Sequence, residues 1–442
     1  MLKAYKYRLY PTTEQQYLLS QQFGIARYVF NWALDQKKKE YEVYKNWKLN
    51  PVGQQPKSLS AFDYQKILTK LKSEVQWIGN AHSQVLQQEI NHLFSAYKRF
   101  YQKIKERKVK KQKYTNSKGR LLDFPRFKSK RDHQSLSLPQ SVKVDFDKQL
   151  IQIPKVGKVC FICSRRFVGA VKTTTISKTT TGKYYASILV DDGLELPELA
   201  NLDQANSIGI DVGLTHFATL STGEKIANPK FLKTSLPRLK RLQRSMTRKT
   251  DRSSKNYGKA KLRRALLEEK IANKRSDFLH KATHRLVCKN QATSLCVEDL
   301  CVRNMMQNHH LARSIADVGW GEFFRQLKYK TLWHGKRLLE IGRFEPSSKT
   351  CSDCGYQVES MSLSVRHWQC PGCGVKQDRD INAAKNMVSF AFRVSFAFRK
   401  IPVGQPGVVK VSLFTKACGQ DATASPLTRL GKSSGRSRKT YA

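Results

Sequence analysis

Two cysteine pairs with the same internal spacing constrain this chain's fold more than any other feature. They are "CSDCG" at Cys351–Gly355 and "CPGCG" at Cys370–Gly374, with residues 355–369 between them. C-x2-C, fifteen residues, C-x2-C is the spacing of a four-thiolate zinc ribbon. A glycine follows each pair, where a tight knuckle needs room and a positive φ. All four ligands are protein thiols, so the Zn²⁺ expected at Cys351, Cys354, Cys370 and Cys373 is structural and keeps no open position for catalysis. His367 lies inside the loop as a spare. "CFIC" (Cys160, Cys163) falls in a strand pattern, where positions i and i+3 face opposite ways, and reads as core sulfur. Cys288, Cys296, Cys301 and Cys418 are isolated.

A ribbon alone does not occupy 442 residues. The chain is long enough for two or three domains with their own cores, and 40% apolar content marks it as globular. Lys and Arg number 81 against 34 acids, a net charge of +47 spread over most of the length. That excess calls for a polyanion, held by phosphate neutralisation. A membrane is the poorer partner, because there is no apolar run of about 18 residues. The start, "MLKAYKYRLYP", is polar and basic, without an export signal. Ten cysteines then point to metal and free thiols in a reducing, cytoplasmic setting.

The pattern of periods divides the chain. "KAYKYRLYP" alternates as a strand and ends at Pro11. Leu19, Phe23, Ala26, Phe30 and Ala33 form one helical stripe; Leu86, Ile90, Leu93, Tyr97 and Phe100 form another. A Pro/Gly/Gln/Ser loop near Asn50–Ser60 separates them, so 12–121 reads as helical. The second helix runs into the basic stretch "KRFYQKIKERKVKKQKY", which suits phosphate contact. From 122 to 195 the period changes to two, as in a small antiparallel barrel or sandwich. Asp191–Gln204 is an acidic connection and a domain boundary. Beyond it come strand–turn–strand, a basic helical hairpin over Leu236–Asn290, a strand in "TSLCVEDL", a helix in "WGEFFRQLKYK" and a strand in "RLLEIGRF". This order predicts an α/β core over 205–345 and 376–400, interrupted by the ribbon at 346–375. "VSFAFR" occurs twice in tandem, at Val388–Arg393 and Val394–Arg399, and suits a helix or a strand. The Gly/Ser/Lys/Arg-rich segment 401–442 reads as a flexible basic tail.

Three acids sit at element edges inside this basic chain. Asp211 ends the strand "SIGID", with Gly213 permitting a turn. Glu298 ends the apolar strand "SLCVE", where a carboxylate is costly unless paired or metal-bound. Asp380 sits in "DRDINAA", at the start of a helix whose Ala383 and Ala384 allow close packing on a sheet. Asp378, two residues earlier, is an alternative ligand or a plain helix-start acid. Carboxylates repel phosphate unless a cation stands between them. Two Mg²⁺ ions held by Asp211, Glu298 and Asp380 resolve that repulsion and suit an in-line attack on a phosphodiester.

"PRFKSK", "GIDVGL", "VEDL", "GWGEFFRQLKYK", "PSSKTCSDCG" and "CPGCGVKQDRDINAAKNM" together resemble TnpB, the OrfB-type proteins of insertion sequences and relatives of type V CRISPR effectors. The resemblance runs from residue 1 to about 387. It implies a multidomain α/β fold: an RNase H-like RuvC nuclease lobe with a zinc ribbon, and a wedge-like β-barrel (1–11 and 122–195) with an inserted helical recognition domain (12–121). The family's RuvC acids correspond to Asp211, Glu298 and Asp380. The implied activity is RNA-guided DNA cleavage in a bacterial cytoplasm or nucleoid. A transposon-end RNA serves as guide, and the target is double-stranded DNA beside a short motif. A zinc-containing DNA- or RNA-binding accessory or repressor without cleavage, and a DNA-joining transposase, are the alternatives.

Overall fold

The computed structural model describes residues 1–442 except 110–114, 116–120, 344, 363, 398–407 and 412–442; for 394–397 and 408–411 it describes the backbone alone. The chain divides into two compact units, Met1–Glu198 with Lys230–Lys281, and Leu199–Pro229 with Ala282–Ala442.

The first unit begins with β1 (Leu2–Tyr10), followed by α1 (Thr13–Leu49), α2 (Ala61–Glu74) and α3 (Ser83–Val109). Strands β2 (Gln134–Leu138), β3 (Lys143–Asp145), β4 (Leu150–Ile153), β5 (Gly157–Ile162), β6 (Ala170–Lys178) and β7 (Tyr184–Asp191) follow. They join β1 in a seven-stranded antiparallel sheet ordered β2-β6-β7-β1-β5-β4-β3. Among the described residues nothing pairs β2 with β3, so the antiparallel barrel-like sheet expected here is a half-barrel. Sheet twist curls it without closing it. Tyr184, Ala186, Ile188 and Val190 of β7 alternate inward, as period two requires.

Helix α1 starts where a Thr12–Gln15 capping box satisfies its first amides, a motif that contributes about 1 kcal/mol. Its stripe serves two cores. Leu19, Phe23 and Ala26 pack on the sheet, while Val29, Phe30 and Ala33 pack with Leu86, Ile90 and Leu93 of α3. The helical hairpin expected over Leu236–Asn290 is formed by α4 (Phe231–Thr247) and α5 (Lys255–Cys288), and Leu239 packs on Leu267 and Ile271.

One sequence expectation in this unit is corrected. Cys160 is exposed and Cys163 only partly buried. The alternation of β5 sends Val159 and Phe161 inward and Cys160 and Ile162 outward, so Cys160 is not core sulfur, while Cys163 packs against the edge of the sheet's hydrophobic core.

The second unit carries β8 (Ser207–Val212), β9 (His216–Leu220), β10 (Lys225–Ala227) and β11 (Ser294–Glu298). After β11 come α6 (Val302–Met305), α7 (Ala312–Val318), α8 (Trp320–Trp333), β12 (Arg337–Ile341), β13 (His367–Gln369), β14 (Lys376–Asp378), α9 (Arg379–Ala397) and β15 (Val408–Val411). The main sheet is ordered β10-β9-β8-β11-β12-β15. Strands β8, β9 and β10 form an antiparallel meander; β11, β12 and β15 continue parallel to β8 on its other side. This is the RNase H-like arrangement expected. The β13–β14 hairpin belongs to the ribbon.

Strand β15 lies inside the segment read as tail. "VVKV" holds three β-branched residues, and the polar composition around them hid a four-residue strand. The rest of 401–442 lies outside the described residues. Of the tandem repeat, the first copy is helical, and Val388, Phe390, Ala391 and Phe392 are buried against Cys296, Leu339 and Ile341. The second continues as helical backbone to Ala397; the remainder lies outside the described residues. Among the described residues no helix is long and apolar enough to cross a membrane.

Candidate active site and thiolate centre

The acid site is built from strand register. In the parallel pairing, Cys296 of β11 lies opposite both Gly209 of β8 and Leu339 of β12. These three form one row across the sheet. The next position on the same face is two residues on: Asp211 on β8, Glu298 on β11 and Ile341 on β12. The two carboxylates therefore share a face at the C-terminal ends of adjacent parallel strands, where open α/β sheets bind their ligands.

Helix α9 supplies the third acid. It lies over the row below, and Gly209 is the reason it can. A Cβ built on Gly209 would lie 1.8 Å from the Ala384 carbonyl oxygen and 3.2 Å from Val388 Cγ2. The glycine lets helix backbone rest directly on strand backbone. Asp380 stands one helical turn before Ala384, just as Asp211 stands one step beyond Gly209. Gly209→Ala is expected to push α9 off β8 and destabilise the protein by roughly 1–3 kcal/mol. Denaturant melts check this; an unchanged midpoint would remove the slot from the account.

The electrostatics follow from this convergence. Burial raises the Asp211 carboxyl to about 8, and the charges of Asp380 and then Glu298 push the same way, against Arg379 and Arg366. Burial raises Glu298 to about 7, with Asp299 adding to the shift and Arg343 opposing it. Carboxyls so placed hold a proton near neutral pH unless a cation replaces it. All the donors are oxygens, a set suited to a hard divalent cation. Asp211, Glu298 and Asp380 do not form a set whose ligand atoms all lie within 4.8 Å of one another.

Both carboxylate oxygens of Asp378 are engaged by other partners. One carboxylate oxygen accepts from the Asp380 and Ile381 amides at 3.0 and 3.1 Å. The other meets Lys225 Nζ at 2.6 Å. It caps α9, and these contacts hold its pKa low despite partial burial. Asp380 instead faces Arg366 Nη1 at 3.4 Å.

The four cysteines come together as expected. Cys351, Cys354, Cys370 and Cys373 place all their sulfurs within 4.8 Å of one another, the one such His/Cys/Asp/Glu set of three or more among the described residues. Cys351 and Cys373 are 3.7 Å apart, and Cys354 and Cys370 are 3.5 Å apart. Tetrahedral bonds of about 2.3 Å require sulfur separations near 3.8 Å, so the group can hold a metal. Each knuckle closes with a glycine amide on the first cysteine's carbonyl: Gly355 on Cys351 at 3.0 Å and Gly374 on Cys370 at 2.9 Å. Both glycines have positive φ, 78° and 73°. His367 is 79% exposed on β13, outside the thiolate set.

The sequence reading missed three contributors. Gly209 looked like any strand glycine; its pairing with an Ala-Ala step on a helix was the available signal. Asn382 and Asn386, buried on α9, hold backbone of the ribbon. Two asparagines four residues apart, among Ala383, Ala384, Met387 and Val388, were the signal for them.

Comparison with known proteins bears on most of the chain. A family model described as "Probable transposase", OrfB of the IS605 type, matches residues 190–309, and one described as "Cas12f1-like, TNB domain" matches 320–387. A third, described as "Helix-turn-helix domain", matches 1–46, although those residues here are β1 and most of α1. A Streptomyces pristinaespiralis protein named "Putative RNA-guided DNA endonuclease" is 36% identical, over 89% of this chain and 90% of its own length. "Putative RNA-guided DNA endonuclease InsQ" of Escherichia coli (strain K12) is 32% identical over 92% of this chain and 96% of its own length. A "TnpB-like protein L79" of Acanthamoeba polyphaga mimivirus is 23% identical over 88% of this chain and 73% of its own length. Among solved structures, CasPhi-2 (Cas12j) bound to crRNA aligns with 88% of this chain and 98% of its own, at 11% identity and a TM-score of 0.43.

Proposed function

This chain belongs to the OrfB/TnpB family, and from that premise we propose that it is an RNA-guided DNA endonuclease with Asp211, Glu298 and Asp380 as its cleavage centre. The observation that carries the reading is the convergence of three acids from β8, β11 and α9 at the strand ends of a chain with net charge +47. Mg²⁺ held there, two ions by this reading, supplies charge neutralisation and Lewis acidity when bound. The chain's own residues do the rest. Adjacent parallel strands fix the spacing of Asp211 and Glu298. The Gly209 slot sets the approach of Asp380. Arg366 and Arg379 offset part of the negative charge around Asp211. Zn²⁺ at Cys351, Cys354, Cys370 and Cys373 is structural.

The partners in this reading are a guide RNA from the transposon end and double-stranded DNA with a short adjacent motif. Base pairing chooses the sequence, and the protein holds backbone. By domain, 1–11 with 122–195 is the wedge, 12–121 the recognition region, 205–345 with 376–400 the RuvC part and 346–375 the ribbon.

The test is cleavage of a matched plasmid by protein purified with its RNA, in Mg²⁺, beside Asp211→Ala. Cleavage by the wild type alone supports the reading. Equal activity removes the catalytic assignment, and binding without cleavage in both leaves an accessory or repressor. RNA and DNA binding is also expected to weaken steeply with salt. Each neutralised phosphate adds about −0.7 to −0.9 to the slope of log K against log salt. A flat profile in a filter-binding series contradicts the phosphate contacts.

A further inference from the structure

We propose that Asn382 and Asn386 are positioning residues that tie Asp380 to the thiolate ribbon, so that the ribbon's backbone fixes where the carboxylate reaches. The inference rests on the endonuclease reading for its significance, though not for its test. Asn382 is fully buried and Asn386 nearly so. Asn382 grips the peptide groups on both sides of Cys351. Its Oδ1 accepts from the Ser352 amide at 2.8 Å, and its Nδ2 donates to the Thr350 carbonyl at 2.7 Å. One turn on, Asn386 Nδ2 donates to the Ser347 carbonyl at 2.7 Å and to the Thr350 carbonyl at 2.5 Å.

Buried amides are costly unless their donors and acceptors are met. Here every bond given for these two side chains goes to ribbon backbone. A leucine or alanine would fill the space on α9 without specifying where the ribbon docks. An amide can accept from one peptide and donate to the next, which fixes the register of helix against knuckle. Asp380 is two residues before Asn382, inside the turn so held. The ribbon also supplies Arg366, whose guanidinium meets the Asp380 carboxylate at 3.4 Å. On the helix's other side Ala384 is seated on Gly209. The carboxylate is thus set by two clamps, the sheet and the ribbon. Gln377 extends the second: its Nε2 reaches Asp353 Oδ2 at 3.1 Å and Cys351 Sγ at 3.7 Å.

The experiment compares wild type with Asn382→Ala as full-length, RNA-loaded protein. Four quantities are read on each: thiolate-bound metal per chain, RNA bound per chain, Mn²⁺ affinity by electron paramagnetic resonance, and cleavage rate against Mg²⁺ concentration. The proposal expects metal content and RNA binding as in the wild type. It expects Mn²⁺ affinity to fall about tenfold, half-maximal cleavage to need about tenfold more Mg²⁺, and the maximal rate to drop. Unchanged Mn²⁺ affinity and Mg²⁺ dependence overturn it. So does loss of thiolate metal in step with activity, which would make the asparagines ribbon-folding residues only. If Asn382→Ala does not fold, Asn386→Ala keeps the Ser352–Asn382 bond and carries the same measurements. A wild type that binds Mn²⁺ without cleaving defeats the endonuclease reading, while the Mn²⁺ comparison still decides this one.

Discussion

Replacing Asp211 with asparagine is expected to stabilise the metal-free protein while abolishing its cleavage. The two effects share one cause. In the fold the Asp211 carboxyl titrates near 8 because of burial and the charges of Asp380 and Glu298, whereas an unfolded aspartate titrates near 3.9. Between those values the folded state binds more protons than the unfolded one. Stability contributed by the protonated form is therefore complete below about pH 4 and is lost as pH rises toward 8. The asparagine side chain carries no such charge, so the variant's advantage grows with pH and is largest above 8. Melting curves of chelator-treated protein from pH 5 to 8.5 should show the wild type falling relative to the variant by a few degrees. In Mg²⁺ the order of function reverses: the variant lacks a ligand at the shared centre and should cleave about 10³-fold more slowly or worse. A variant less stable than the wild type at pH 8 would show that this carboxylate is compensated within the protein.

Cys351→Ser carries the second large effect. A four-thiolate site missing one sulfur should lose metal affinity by about 10²-fold or more, and the free energy of such a site is folding free energy. Cys351 is the most consequential choice, because Thr350 and Ser352 on either side of it are held by Asn382. Backbone amides of Cys354 and Asp353 draw its thiol down to about 7 against the opposing effect of burial, so it is ready to ligate near neutral pH. Atomic absorption should find less than one zinc per chain after dialysis. Proteolysis should open 346–375 first, and cleavage should fall with the lost metal. Full zinc content and an unchanged protease pattern would refute the four-thiolate assignment.

How much of this could be read from residues alone depended on what fixes each feature. The thiolates were legible because a tetrahedral site dictates both residue type and spacing. The acids stood out as candidates because a carboxylate ending an apolar strand, as Glu298 does, is costly without a partner. Their convergence was not legible: it needs the parallel register of β8 with β11, a contact between segments far apart in sequence. The choice of Asp380 over Asp378 was open in the sequence, since a capping acid and a ligand acid look alike at a helix start; the hydrogen bonds of Asp378 are those of a cap. The helical stripes of α1 and α3 and the antiparallel barrel-like sheet were legible as period, though strand patterns do not say whether the sheet's edges meet. Cys160 failed for a related reason, as a single residue's face follows from its neighbours' register. Strand β15 was hidden by averaging composition over a long polar segment.

The central claim is that Asp211, Glu298 and Asp380 jointly hold divalent cations against a nucleic-acid strand. Its most direct measurement is Mn²⁺ electron paramagnetic resonance on the RNA-loaded protein with target DNA, comparing wild type with Asp211→Asn, Glu298→Gln and Asp380→Asn. The account predicts bound Mn²⁺ in the wild type and its loss or marked weakening in each variant. Equal Mn²⁺ binding in all four proteins would contradict it.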